Sequence, residues 1–153
     1  MNVWYSLSDI PGNEASVVTI GNFDGMHNGH KKVISTCIER AHKLRVDAVA
    51  ITFDPHPIQV HKPEVGLQLI SPLRDRLDAM AAAGLDATLV AHYDASVYSL
   101  EADEFVYEYL VERCGAREVV VGEDFRFGRG NAGTIDTLRE LGRRYGFNVI
   151  TVT

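Results

Sequence analysis

A chain of 153 residues, 46% apolar and 24% charged, has the size and make-up of one globular domain with a sizeable core. Its net charge of −6 excludes the basic surface that non-specific nucleic-acid binding needs, so no nucleic-acid partner is expected. No apolar run approaches the ~20 residues of a membrane helix, and Met1 to Pro11 lacks the basic start and apolar stretch of a secretion signal; we expect a cytoplasmic protein with no membrane partner.

Strand and helix patterns alternate along the chain. Val17 to Gly21 is a β-branched run and predicts a buried strand. From Lys31 to Arg45 the apolar positions Val33, Ile34, Cys37, Ile38, Ala41 and Leu44 share one helical face. Val46 to Phe53 predicts a second strand. Ser71-Pro72 offers an N-cap followed by proline in the first turn, Leu73, Leu77, Met80 and Ala81 form a buried stripe, and Gly84 suits the stop. Leu85 to Ala91 predicts a third strand, Glu101 to Cys114 roughly a helix, and Val119 to Val121 a fourth strand. Thr134 caps a last helix to Tyr145, Gly146 ends it, and Phe147 to Val152 predicts a fifth strand. The charged runs from Glu101 to Glu104 and from Arg139 to Arg144 read as solvated helix faces. Cys37 and Cys114 lie inside helical patterns without Cys-x-x-Cys spacing, so we read them as reduced core residues. Together the elements predict an α/β fold, a parallel five-stranded sheet with helices on both faces. Such sheets bind ligands outside the carboxyl ends of their strands, near a switch point.

Three loops after strands carry the chemistry. The first runs Gly21-Asn22-Phe23-Asp24-Gly25-Met26-His27-Asn28-Gly29-His30 into a helix. Its three glycines allow a sharp turn and a close backbone approach to a ligand. The helix start adds free N–H groups and a positive dipole end, which suit an anion. His27 and His30 share a face of the first turn and can donate to phosphate oxygens. Surface histidines on a plain turn are the bland alternative. A Walker loop, a dinucleotide fingerprint and a zinc site all lack their further residues here. The second loop, Phe53-Asp54-Pro55-His56-Pro57, is stiffened by two prolines and leads into a dozen irregular residues, to near Ile70. The third runs from Gly122 through Asp124, Phe125, Arg126, Phe127 and Arg129 to Thr134, with four glycines that preclude a stable helix. In an extended segment Phe125 and Phe127 fall on one face and Arg126 on the other. The rings can pack on a flavin or adenine plane or simply anchor the loop. Arg126 and Arg129 can neutralise phosphates, and Asp124 can bind Mg²⁺ or a ribose hydroxyl.

The string Gly-Asn-Phe-Asp-Gly-x-His-x-Gly-His, with Phe-Asp-Pro-His-Pro and Gly-x-Asp-Phe-x-Phe-Gly after it, resembles the FAD synthetase branch of the nucleotidylyltransferases. The resemblance implies a Rossmann-like fold that joins FMN to ATP, releases pyrophosphate and uses Mg²⁺. It implies that His27 and His30 bind ATP phosphates, with Gly21, Asn22, Phe23, Gly25 and Gly29 around them, and that Asp24 orients the loop or reaches the metal. Phe53, Asp54, Pro55, His56 and Pro57, with Asp124, Phe125 and Phe127, would border the flavin.

The superfamily's later Ile-Ser-Ser-Thr-x-x-Arg segment, which holds ATP phosphates, does not occur in this sequence, nor does the riboflavin kinase domain that usually follows in bacteria. Residues 1–153 are therefore expected to be one FMN adenylyltransferase domain, either cut short at its C-terminal end or a degenerate relative, that makes FAD slowly or not at all. The rivals are a nucleotidylyltransferase acting on phosphopantetheine or an alcohol phosphate, and a non-catalytic flavin- or nucleotide-binding module.

Overall fold

The computed structural model describes residues 1–24, 28–64 and 72–153. Six strands form one parallel sheet: β1 (Asn2–Trp4), β2 (Ser16–Ile20), β3 (Asp47–Asp54), β4 (Ala87–His92), β5 (Ala116–Gly122) and β6 (Asn148–Val152), in the order β1-β4-β3-β2-β5-β6. The five expected strands are all present. The sixth is β1, which extends the edge by pairing Asn2 to Trp4 with Ala87 to Leu89. Three residues are too few for a period-2 signal, so its pairing partner alone makes it a strand.

Alternation along the strands splits the core into two layers. Val18, Ile20, Val49, Ile51, Val119 and Val121 face the helix that begins as α5 (Ala102–Phe105) and continues as a π-helical stretch, Val106–Arg113, and α6 (Ile135–Tyr145). Val17, Ala48, Ala50 and Val120 face α1 (Asn28–Leu44) and α3 (Leu73–Ala83). Val33, Ile34, Cys37 and Ala41 form the expected buried stripe of α1. Cys37 and Cys114 belong to opposite layers, and burial pushes both thiols up to about 12. Both stay protonated and inert at neutral pH.

The helix ends follow local chemistry. Thr134 Oγ1 accepts the Thr137 N–H, and Gly146 closes α6 in the left-handed region, at φ 91°. Gly84 closes α3 the same way, at φ 104°. Pro72 sits at the N-cap of α3, one place outside the expected first turn, while Ser71 lies outside the described residues. Two short helices were not foreseen: α2 (Pro57–His61), inside the segment read as irregular, and α4 (Ala95–Tyr98).

From β2 the chain passes to β3 on one side, then returns to β5 on the other. The strand order thus reverses at β2, and the glycine-rich turn after Ile20 leaves the sheet at that switch point.

Candidate functional site

A cavity of about 890 Å³ opens at the carboxyl ends of the strands. Gly21 and Asn22 line it from the end of β2, Phe53 and Pro57 from the end of β3, and Phe125, Arg126, Phe127 and Arg129 from the loop after β5. All three loops singled out in the sequence therefore meet at one cavity. The Phe125 and Phe127 rings stack, 5.6 Å apart at an interplanar angle of 10°, on one face of their segment as expected. Arg126 and Arg129 are exposed at the rim, and Arg129 lies 3.5 Å from Glu101.

The remaining wall is aromatic and comes from residues the sequence did not single out. Tyr93, past the end of β4, packs edge-on to Phe53 at 5.7 Å, and Tyr98 of α4 lies 5.6 Å from Tyr93. His61, the last residue of α2, meets both rings edge-on, and its Nε2 is 2.8 Å from the Tyr93 hydroxyl. Burial pushes the Tyr93 phenol up, and Tyr98 adds to the shift. The signal that could have found Tyr93 was positional: it stands just beyond a predicted strand, where ligands bind in such sheets.

Other predicted residues are not among the described residues that line the cavity. Phe23 is buried under α1 with φ 52°, and its ring meets His30 edge-on at 5.8 Å. Gly29 and His30 occupy the first turn of α1. Gly25 and His27 lie outside the described residues. Asp24 is half-buried and close enough to favour the charged forms of His56 and Arg76. Asp54 ends β3 and is joined to Pro55 by a cis peptide, and the Asp54 carbonyl accepts the Tyr93 N–H at 3.0 Å. Asp124 is exposed in the turn after β5 and is not among the residues that line the cavity.

Of the stripe expected on α3 only Met80 is buried, Ala81 is exposed, and a charged residue outside the stripe takes the buried face. Arg76 shares the buried face of α3 with Met80 and is 2% exposed. Its Nη1 donates to the Asn22 carbonyl at 2.8 Å, to Thr52 Oγ1 at 3.2 Å and to the Phe53 carbonyl at 3.4 Å. Its Nη2 is 3.8 Å from Asp54 Oδ1. A charge at i+3 from Leu73 and i−4 from Met80 was the available signal.

A family model described as FAD synthetase matches residues 9–153. The chain belongs to the FAD synthetase family. A bifunctional riboflavin kinase/FMN adenylyltransferase of Escherichia coli (strain K12) is 32% identical over 145 residues, covering 95% of this chain and 46% of that protein. A putative bifunctional riboflavin kinase/FMN adenylyltransferase of Geobacillus thermodenitrificans is 40% identical, over 85% of this chain and 68% of its own. The chain spans about half the length of the first curated relatives it matches. A crystal structure of a macrolide-efflux protein from Streptococcus pneumoniae superposes with a TM-score of 0.83 at 25% identity, over 99% of this chain and 57% of that one. No helix among the described residues is long and apolar enough to cross a membrane.

In this FAD synthetase family member His56 has a definite local task. Its Nδ1 accepts the Ile58 N–H at 3.1 Å, and Gln59 Oε1 accepts the His56 N–H at 3.0 Å, a reciprocal cap on α2. The capped helix ends in His61, which lines the cavity. Burial holds the His56 ring below the ordinary value of 6.5; Asp24 opposes that shift and Arg76 adds to it. Nδ1 can accept only while it carries no proton, so acid removes the cap. The unfolded chain then takes up the proton first, and stability falls as pH drops from about 6.5 through the depressed folded value. His56→Asn should cap without titrating. Melting curves are expected to fall more steeply for the parent than for His56→Asn between about pH 7 and pH 5. Superimposable pH profiles would remove the cap from the account.

Proposed function

We propose that this chain transfers the adenylyl group of ATP to FMN, giving FAD and pyrophosphate. The observation that carries this reading is the cavity of about 890 Å³ where the glycine-rich turn and an aromatic wall meet at the switch point. A flat, apolar ring system with a phosphate tail matches those walls and the arginine rim. Phe53, Tyr93, Tyr98, Phe125 and Phe127 receive the isoalloxazine, with Asp54 to Pro57 shaping that side of the pocket. Arg126 and Arg129 face phosphate oxygens. Gly21, Asn22 and the start of α1, with His27 and His30, take the triphosphate.

An FMN phosphate oxygen attacks the α-phosphorus of ATP; that P–O bond forms as the bond to the bridging α–β oxygen breaks, and pyrophosphate leaves. The attacking oxygen is already anionic at neutral pH, so the protein supplies position and positive potential rather than a general base. Among the described residues no three His, Cys, Asp or Glu side chains come together to hold a metal. A magnesium ion would be brought by the triphosphate, with Asp24 of the first loop supplying one oxygen. Bound there, Mg²⁺ would neutralise the leaving pyrophosphate.

Titration of FMN with the protein tests the substrate. Flavin fluorescence should change on binding, and Tyr98→Ala should weaken FMN by about tenfold through the lost ring contact. Binding of phosphopantetheine or glycerol phosphate without any response to FMN would overturn the flavin assignment.

A further inference from the structure

Arg76 is costly where it stands. A guanidinium inside the protein gives up its water, and the residues around it replace that water only in part. Nε is buried with no hydrogen-bond partner among the described residues. The Asp54 carboxylate is 3.8 Å away and 46% exposed, and the Asp24 carboxylate also favours the charged form. As a stabilising ion pair this is poor, because desolvation offsets most of so long a contact. An apolar residue would fill the same place beside Met80 at less cost. The use of the charge lies in what it bridges. Nη1 reaches the Asn22 carbonyl beyond β2 and the Phe53 carbonyl near the end of β3, at 2.8 and 3.4 Å. Thr52 is fully buried; its hydroxyl accepts from Arg76 and donates to the same Asn22 carbonyl at 3.2 Å. Ladder hydrogen bonds tie β2 to β3 as far as the Gly21 N–H on the Ile51 carbonyl, at 3.1 Å. Past that point Arg76 and Thr52 bridge the two turns.

We propose that Arg76 is a positioning residue that locks the Gly21–Asp24 turn to the Phe53–Pro57 turn, and so sets the distance between the phosphate side and the ring side of the cavity. In its catalytic consequence this rests on the adenylyl-transfer reading, since both turns carry residues assigned to substrate. All three acceptors converge on Nη1, one bond farther out than a lysine ammonium reaches, so lysine would keep the charge without the full set of contacts.

The test compares the parent with Arg76→Met, Arg76→Lys and Thr52→Val. Amide exchange, thermal midpoint and FMN affinity by fluorescence are measured for each. In Arg76→Met, exchange should quicken about tenfold at Gly21 to Asp24 and at Phe53 to His56, while the central strands keep their protection. FMN affinity should fall at least about tenfold, because small misplacements of a site have large effects. Arg76→Lys should recover part of both changes, and Thr52→Val should show smaller changes at the same two turns. If Arg76→Met does not fold, the other two variants carry the same comparison. Exchange that rises evenly across the sheet, or two turns as protected as in the parent, would overturn the positioning role. A parent that binds no FMN would overturn the flavin reading instead, while the exchange pattern would still decide the role of Arg76.

Discussion

His30→Ala is expected to lower the rate of FAD formation at limiting ATP by about 100-fold, the usual cost of removing one donor aimed at developing charge. His30 stands in the first turn of α1, where the helix N-terminus already favours anions. Its ring contributes to folding through an edge contact with Phe23 at 5.8 Å. Truncation should therefore cost only about 1 kcal/mol of stability, and the variant should melt cooperatively near the parent. His27→Ala tests the same assignment at the neighbouring position in the motif. Rates and ATP affinities are compared in one assay of ATP, FMN and Mg²⁺. If both variants bind ATP like the parent, the phosphate assignment is wrong.

The largest effect on stability is expected at the cavity rim. Gly128 has φ 77° and ψ 178°, a region of backbone space that only glycine enters readily. It also lies against α5: a β-carbon added there would sit 2.8 Å from the Ala102 Cα and 2.9 Å from its nitrogen. The contact is backbone on backbone, and the neighbouring Arg129 N–H is bound to the Leu100 carbonyl at 2.8 Å, so neither side can yield cheaply. Gly128→Ala should cost about 3 kcal/mol or more, the sum of conformational strain and overpacking. Gly130 provides the control. It too has positive φ, 62°, but nothing lies within 4 Å of an added β-carbon. Gly130→Ala should cost only about 1 kcal/mol, the left-handed penalty alone. Denaturant midpoints measure both. Because Phe127 and Arg129 flank Gly128 in the cavity wall, Gly128→Ala should also weaken FMN under conditions where the variant remains folded. Equal costs at the two glycines would show that the packing against Ala102 is not limiting.

Part of this molecule is legible locally. The α1 stripe at Val33, Ile34, Cys37 and Ala41, the Thr134 cap and the Gly84 and Gly146 stops are set by neighbours within a turn or two of chain. The three loops are legible for the same reason, since glycine, proline and histidine act on the backbone around them. Strand–helix alternation implies a parallel sheet, and a parallel sheet implies a site at its carboxyl ends. The other part depends on residues far apart in sequence. Asn2 to Trp4 are a strand only because Ala87 to Leu89 lie alongside. His61, Tyr93 and Tyr98 become one aromatic wall only when α2, the end of β4 and α4 converge. Two flanking prolines hold His56 in one direction, and only the folded chain shows its ring capping α2, the helix that ends in His61. It is the ends of β2 and β3 that place two carbonyls in front of Arg76. Backbone preferences and periodicity act over a few residues, so composition and spacing determine the longer helices, the five central strands and the loops that carry the motifs. Which side chains face one cavity, and which buried charge holds its two sides together, is decided by contacts that exist only once the sheet has closed.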